Sequence, residues 1–158
     1  MPAELPVVRF GRIISRVEKY SSKSGGKLRV LIQLNAKTFD RFLSEQRKLR
    51  IYKVTDIPKG GVGAREFHRQ RSEIITVERG AINLQLEDLA GRKKAIILRE
   101  GVSYGLISPY ILHTYTALSD CTSMVVVANT LYDHRNPSTY DSYPENEFRK
   151  LQTRSRKK

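Results

Sequence analysis

The stretch EFHRQRSEIITVERG, residues 66–80, holds the features from which the fold of this chain can be predicted. Phe67 separates Glu66 from His68, and side chains along a strand alternate between its two faces. Glu66 and His68 therefore share one face of a predicted strand. The β-branched run that begins at Glu73 predicts a second strand, so Glu73 is a third polar side chain, at the start of a neighbouring strand.

A turn and a distant strand extend this arrangement. Gly80 closes the second strand and can adopt the positive φ of a hairpin turn. Much further along, the segment SPYILH at 108–113 contains a Pro-led turn followed by a strand that carries His113. Four titratable side chains are thus expected to face one interior: Glu66, His68, Glu73 and His113.

Strand signals recur at short intervals along the chain. Apolar or alternating runs bounded by turn residues predict strands at 49–57, 64–68, 73–78, 81–87, 94–98, 103–107, 112–118 and 124–128. This spacing is typical of an all-β barrel or sandwich. A small barrel of that kind has an interior that holds side chains or one small ligand.

The chain before the barrel is predicted to form an arm. Residues 7–20 have a mixed apolar pattern that we interpret as a strand, 21–26 as a turn and 28–34 as a second strand, which together make a hairpin. Residues 36–48 place apolar side chains at helical spacing. The predicted division of the chain is 1–48 as N-terminal arm and short helix, 49–130 as barrel core, 131–148 as a C-terminal wrapping segment and 149–158 as a basic disordered tail.

The charge and composition limit the setting and the partners. The formal net charge is +13, and six basic and no acidic side chains in the last ten residues leave +7 on the rest. Such a chain attracts polyanions, either a diphosphate-bearing substrate or nucleic acid. Nucleic acid is the weaker hypothesis because no recognition motif or aromatic ladder accompanies the charge. The single cysteine, Cys121, and the absence of an export signal or an apolar span of about 20 residues predict a soluble, cytoplasmic protein.

The four predicted interior groups allow three kinds of chemistry. Two imidazoles and two carboxylates can satisfy one another, hold a divalent metal or act on a substrate. A histidine with a pKa near its usual value of about 6.5 can take and return a proton at cellular pH. His134, in a polar segment, is instead predicted to be a surface residue.

The spacing of these residues resembles the two motifs of the cupin superfamily. The first motif is His-x-His, three or four residues, Glu, six residues, Gly, and the second is Pro-x-Gly-x-x-His. Glu66 stands at the first His position, Ser108 at the Pro position and Tyr110 at the Gly position. The remaining motif positions match directly: His68, Glu73, Gly80 and His113. The resemblance implies a single cupin, a jelly-roll-like β-barrel.

Within that superfamily the chain looks most like the dTDP-4-keto-6-deoxyglucose 3,4-ketoisomerases. The segments RIYKV at 50–54, EFHR at 66–69 and EIITVERG at 73–80 are similar to that family's strand and motif segments. ANTLYD at 128–133 and NPSTY at 136–140 look like the C-terminal cupin of capsular-polysaccharide reductases. Both groups handle nucleotide-linked sugars, which implies a role in deoxysugar or surface-polysaccharide biosynthesis.

The resemblance implies an isomerase or epimerase that needs no cofactor. A base removes the proton beside the ketone of a 4-keto-6-deoxyhexose, an enediol forms, and a proton returns to the former carbonyl carbon. A histidine pair does this in the family; here Glu66 takes the place of the first, so the implied proton carriers are His68 with Glu66 or His113. The implied substrate-binding residues are Arg50, Tyr52, Glu73 and Tyr115, and the implied assembly is a homodimer.

Two alternatives remain open from the sequence. One is a metal-dependent cupin with a divalent ion held by Glu66, His68, Glu73 and His113. The other is a non-catalytic cupin that only binds a sugar or serves as a partner domain.

Overall fold

The computed structural model describes residues 12–16, 18–43 and 47–155. It contains two helices in these ranges, α1 (Ala36–Leu43) and α2 (Glu145–Ser155), and a 3₁₀ turn at Pro137–Thr139. The strands are β1 (Arg12–Arg16), β2 (Glu18–Ser21), β3 (Lys27–Val30), β4 (Arg50–Ile57), β5 (Val62–Phe67), β6 (Glu73–Arg79), β7 (Ala81–Glu87), β8 (Lys93–Arg99), β9 (Ser103–Ile107), β10 (Leu112–Ala117), β11 (Thr122–Ala128) and β12 (Tyr143–Pro144).

Two five-stranded antiparallel sheets enclose the core. Their strand orders are β1-β9-β6-β11-β4 and β12-β5-β10-β7-β8, while β2 and β3 form a separate hairpin. The main apolar cluster draws on both large sheets, with Ile75, Val77 and Val126 from one and Leu84 and Leu98 from the other. The predicted single all-β domain is confirmed.

The period-two pattern of the strands explains how the sheets pack. In β7, Ile82, Leu84 and Leu86 are buried, whereas Asn83 between them is half-buried and Gln85 is exposed. Each fully buried Ile or Leu side chain stabilises the fold by about 1.5–3 kcal/mol. Gln85 keeps its contact with water, so the alternating residues 82–86 place only one face of β7 in the core.

The N-terminal arm differs in part from its prediction. The hairpin is present as β2 and β3, but β1 pairs with β9 and therefore belongs to a large sheet. Residues 7–11 and 17 of the predicted first strand lie outside the described residues. The second strand ends at Val30, and Ile32 and Leu34 pack against Phe42 instead of continuing it.

Helix α1 is confirmed within the predicted range 36–48. It begins after Asn35, whose side-chain oxygen accepts the N–H of Thr38 at 2.8 Å, an N-cap contact. Residues 47–48 lie beyond the helix, and 44–46 are outside the described residues.

The prediction of a disordered basic tail at 149–158 is wrong for residues 149–155, which form most of α2. Phe148 and Gln152, four positions apart and therefore on one helical face, are buried against the barrel. Arg149 pairs with Glu145 at 2.7 Å and with Glu87 of β7. The run of positive charge concealed this apolar and ion-paired face.

The barrel core also extends beyond its predicted limits of 49–130, because β1 and β12 lie outside that range. The boundary predicted between residues 148 and 149 falls inside α2. The positive φ predicted at Gly80 is confirmed, at 82°, but the predicted hairpin is wrong, because β6 and β7 belong to different sheets and the turn at Gly80 connects the two sheets. Neither of the described helices has the length and apolar character needed to cross a membrane.

Candidate functional site

A β-bulge in β5 places Glu66. His113 of β10 is opposite Glu66, but the next residue, Thr114, is opposite Ala64, so Arg65 is an extra residue in the strand. Ala64 and Arg65 both have left-handed backbone conformations, with φ of 64° and 62°. Such conformations cost of order 1 kcal/mol or more each for residues other than glycine, and bulges of this kind redirect side chains at functional sites.

His68 lies one residue beyond the end of β5 and is fixed by the turn before β10. The backbone N–H of Tyr110 donates to the carbonyl of His68 at 2.7 Å. Tyr110, at the glycine position of the second cupin motif, has a φ of 60°, a left-handed conformation that glycine adopts without strain. A tyrosine thus holds a backbone conformation that favours glycine.

Both imidazole rings are anchored through Nδ1 to main-chain carbonyls. Nδ1 of His68 is 2.6 Å from the carbonyl oxygen of Asp141, and Nδ1 of His113 is 3.1 Å from that of Ile111. A carbonyl oxygen only accepts, so each Nδ1 carries the proton. In a neutral ring the lone pair is then on Nε2 of both histidines.

The carboxylate of Glu73 is the common neighbour of the two rings. Its oxygens lie 3.6 Å from Nε2 of His68 and 3.7 Å from Nε2 of His113. The hydroxyl of Tyr52 donates to Glu73 at 3.2 Å, and Nη1 of Arg71 lies 3.6 Å away. The predicted neighbourhood of Glu73, His68 and His113 is therefore present.

These contacts shift the ionisation of the buried groups. Burial alone would raise the pKa of Glu73, but its polar contact with His68 and the charges of His68, His113 and Arg71 lower it to about 2. Burial lowers the pKa of the His113 ring, an effect only partly opposed by Glu73. Glu73 is thus a carboxylate at neutral pH, and His113 is held toward its neutral form.

Three donor atoms converge beside this carboxylate. One side-chain atom each from Glu66, His68 and His113 lies within 4.8 Å of the other two. Nε2 of His68 is buried and has no hydrogen-bond partner among the described residues. The structure thus brings together all three predicted proton carriers and three of the four predicted metal ligands; the fourth, Glu73, contacts both histidines.

The predicted substrate-binding residues surround the cluster unequally. Tyr52 is engaged with Glu73, and burial together with that carboxylate raises the pKa of its hydroxyl. The guanidinium of Arg50 lies over the rings of Tyr52 and Tyr132, at 4.8 and 5.2 Å from their centroids. Nε of Arg50 is buried and has no hydrogen-bond partner among the described residues.

Tyr115 lies on β10 opposite Gly63 of β5. A Cβ atom at Gly63 would be 2.2 Å from the Tyr115 hydroxyl, so a larger residue there would require the Tyr115 ring to move. Burial and the charge of Glu66 raise the pKa of Tyr115. Its substrate-binding role stays a prediction. His134 is exposed, as predicted.

Two residues of the site were missed by sequence reasoning. Arg71 is only 3% exposed, and besides Glu73 it donates from Nε to the Thr130 hydroxyl at 2.9 Å. Asp141 binds the segment that follows His68. Arg71 could have been suspected from its place between His68 and Glu73, but arginine is usually exposed. No local signal marks Asp141.

Comparisons with known proteins find solved structures of the same fold. The chain is similar to a 3,4-ketoisomerase from Helicobacter canadensis (TM-score 0.68, 16% identity, covering 90% of this chain and 97% of that one). It is also similar to a mutant 3,4-ketoisomerase QdtA from Thermoanaerobacterium thermosaccharolyticum in complex with TDP-4-keto-6-deoxyglucose (TM-score 0.68, 16% identity, covering 96% and 98%). The rmlC epimerase of Mycobacterium tuberculosis is a third similar structure (TM-score 0.63, 14% identity, covering 86% and 71%).

At such low sequence identity, the structural similarity shows a shared fold. No curated protein sequence matches the chain. A family model, FdtA, described as WxcM-like, C-terminal, matches residues 13–147, which is most of the chain. The predicted relationship to cupin-like sugar isomerases is confirmed, and the chain belongs to the FdtA family of WxcM-like C-terminal domains.

Proposed function

We propose that this protein is a nucleotide-sugar isomerase or epimerase that acts on a 4-keto-6-deoxyhexose by removing the proton beside the ketone. The observation that carries the proposal is the convergence of Glu66, His68 and His113 within 4.8 Å, with a buried, unpaired Nε2 on His68. The activities named for the similar structures, 3,4-ketoisomerase and epimerase, support the same class.

The reaction needs one base and one acid close together, and the cluster supplies both. Nε2 of His68 takes the C–H proton, while a second group in its protonated form, a Glu66 carboxylic acid or a His113 imidazolium, gives a proton to the ketone oxygen, which yields the enediol. The second hydroxyl of the enediol then loses its proton, and the former carbonyl carbon receives one. Each proton that leaves the sugar is replaced, so no cofactor is consumed.

Residues around the cluster are assigned to binding. The Arg50 guanidinium and the Tyr115 hydroxyl supply a cation and a donor for sugar or phosphate oxygens. Tyr52 and Glu73 act together, because the Tyr52 hydroxyl donates to Glu73 at 3.2 Å and Glu73 lies beside both imidazoles. Glu73 then favours an imidazolium on whichever ring has taken a proton.

Proton NMR of the protein with dTDP-4-keto-6-deoxyglucose in deuterated water tests the proposal. Deuterium is expected beside the ketone, and His68→Asn is expected to lower the exchange rate by about 10²–10⁴-fold. His134→Asn, at an exposed histidine, is the matched control and should leave the rate unchanged. Exchange at the parent rate in His68→Asn would overturn the assignment of His68 as the base.

A divalent metal is the second candidate, and the donor set fits one. Two unprotonated imidazole nitrogens and one carboxylate suit iron, manganese, nickel or zinc, with Glu73 as the fourth predicted ligand. Such an ion would polarise the ketone as a Lewis acid. Metal analysis of protein prepared without an affinity tag separates the two candidates: about one equivalent favours the metal-dependent cupin. If the protein shows no deuterium exchange and contains no metal, the result favours a non-catalytic binding domain.

We also infer a homodimer in the cytoplasm. β4 is an edge strand of its sheet; Ile51 within it is 63% exposed, and Leu49 just before it is 43% exposed. They border an apolar groove of about 360 Å³ that also includes Phe39 and Val125. A second copy is the proposed occupant because an unpaired apolar edge otherwise promotes aggregation. Ile51→Glu should lower the mass measured by light scattering to that of one chain.

A further inference from the structure

The carboxylate of Asp141 organises the backbone that follows His68. It accepts three consecutive backbone N–H groups, those of Arg69 at 3.0 Å, Gln70 at 3.0 Å and Arg71 at 2.7 Å. Hydrogen bonds to a charged acceptor are stronger than those between neutral groups. The segment between His68 and Glu73 is therefore tied to a residue that lies 70–72 positions from the three amides.

The main chain of Asp141 contacts the imidazole itself. Its carbonyl oxygen is 2.6 Å from Nδ1 of His68. Asp141 has a φ of 41°, a left-handed conformation that aspartate tolerates better than most residues. One residue thus holds both the backbone after His68 and the ring of His68, through two different groups.

This contact decides which ring nitrogen can take a proton. With Nδ1–H donated to the Asp141 carbonyl, the neutral ring keeps its lone pair on Nε2, 3.6 Å from Glu73. With the other tautomer, Nε2–H would donate to Glu73, and no lone pair would face the converging donors. A small shift of the carbonyl therefore removes the base without removing the histidine.

We propose that Asp141 is a positioning residue whose carboxylate, by binding the amides of residues 69–71, holds its own carbonyl at Nδ1 of His68 and so keeps Nε2 unprotonated. The catalytic consequence rests on the proposed function, in which Nε2 of His68 is the base. The effect on the tautomer does not depend on it.

The experiment measures the tautomer and the rate on the same proteins. Full-length parent, Asp141→Ala, Asp141→Asn and the control Asp133→Ala are labelled with ¹⁵N-histidine. Long-range ¹H–¹⁵N spectra are recorded at about pH 8.5, above the ordinary histidine pKa. Asp133 is a matched control because its carboxylate accepts the N–H of Arg135 in the same C-terminal segment. His68→Asn assigns the signals.

The parent His68 is expected to show a protonated Nδ1 and an unprotonated Nε2. Asp141→Ala should produce a mixture of tautomers at His68 and leave His113 unchanged, because Ile111 anchors that ring. It should lower kcat by about 100-fold with little change in KM, since misplacing a catalytic group by about 1 Å costs that much. Asp141→Asn keeps one acceptor oxygen, and asparagine also tolerates the left-handed backbone. This variant should therefore restore part of the parent tautomer population at His68 and part of the parent kcat.

Two results would overturn the inference. One is a parent His68 protonated on Nε2, and the other is an Asp141→Ala protein with the parent tautomer and kcat. If Asp141→Ala does not fold, Asp141→Asn decides by the same two readouts. If no sugar substrate is turned over at all, the proposed function fails, but the tautomer spectra still decide the role of Asp141.

Discussion

Two buried carboxylates, Glu73 in the candidate site and Glu87 beneath α2, have opposite kinds of surroundings. Both are nearly inaccessible, at 4% and 8% exposed. Glu87 accepts full hydrogen bonds from Nη2 of Arg149 at 2.9 Å and Nε2 of Gln152 at 2.8 Å, and a further one from Nη1 of Arg149. Glu73 has two imidazoles and Arg71 at 3.6–3.7 Å, beyond ordinary hydrogen-bond length.

The difference separates a structural ion pair from a site prepared for a ligand. At Glu87 every close donor is used, and the result is a helix fixed to the barrel. At Glu73 the carboxylate attracts Arg71 and any protonated imidazole, but Nε2 of each histidine can still form a hydrogen bond with a further group. Buried polar groups are normally paired, so the unpaired Nε2 of His68 is where the proposed function places a substrate atom.

Replacing the two carboxylates should separate activity from stability most clearly. Glu73→Gln is expected to lower the exchange rate by about 100-fold, because no negative charge then favours an imidazolium on His68 or His113. Glu87→Gln should leave the rate within about twofold of the parent. Initial rates of deuterium incorporation measure both. An equal loss of exchange rate in the two variants would show that the two carboxylates do not differ in their contribution to activity.

Acid denaturation should reveal the contribution of the ionised Glu73 to stability. The folded-state pKa of Glu73 is about 2, below its ordinary value of 4.5. A lowered pKa gives stability that is present above pH 4.5 and is lost as the pH falls toward 2. The shift corresponds to about 3 kcal/mol at neutral pH.

Urea unfolding of the parent and Glu73→Gln between pH 6 and pH 3 measures this contribution. The stability difference between the two should be largest at pH 6 and should shrink steadily as Glu73 takes up a proton in the parent. A difference that stays constant over this range would show that the pKa of Glu73 is not lowered by folding.

The strands were predictable from sequence because their pattern is local. The alternation in β7 and the β-branched run in β6 are determined by which face is buried, and neighbouring residues carry that information. Glu66, His68, Glu73 and His113 were found because their spacing survives changes of individual residues. Tyr110, at a glycine position of the motif, has a left-handed backbone that favours glycine.

The residues that were missed depend on contacts between distant parts of the chain. Asp141 meets Arg69 across 72 positions, and Arg149 meets Glu87 across 62. Nothing near Asp141 in sequence distinguishes it from a loop aspartate. Helix α2 was concealed for a related reason, because the acid that pairs with Arg149 in the barrel belongs to β7. Charge that is counted along the sequence does not show which charges become paired.

Breaking the Glu87 network should cost stability alone. Arg149→Met is expected to lower the free energy of unfolding by about 1 kcal/mol, since Glu87 then keeps only Gln152 and a distant Lys93. The melting temperature should fall by about 3 °C, with an unchanged exchange rate. Lys150→Met, which breaks an exposed pair with Glu147 on the same helix, is the control and should change stability by less than half as much. A lost activity in Arg149→Met would link α2 to the site.

The smallest expected effect concerns the charges that are left unpaired. With a net charge of +13, the protein should attract a diphosphate-bearing substrate, and salt screens such attraction over about 10 Å at 0.1 M. Raising the ionic strength from about 0.05 to 0.5 M should lower kcat/KM by about threefold and leave kcat unchanged, because screening affects encounter and not proton transfer. Arg149→Met should show the same salt dependence as the parent, since a guanidinium already paired with Glu87 and Glu145 contributes little to the field. A salt-independent kcat/KM would mean that the basic surface serves something other than substrate capture.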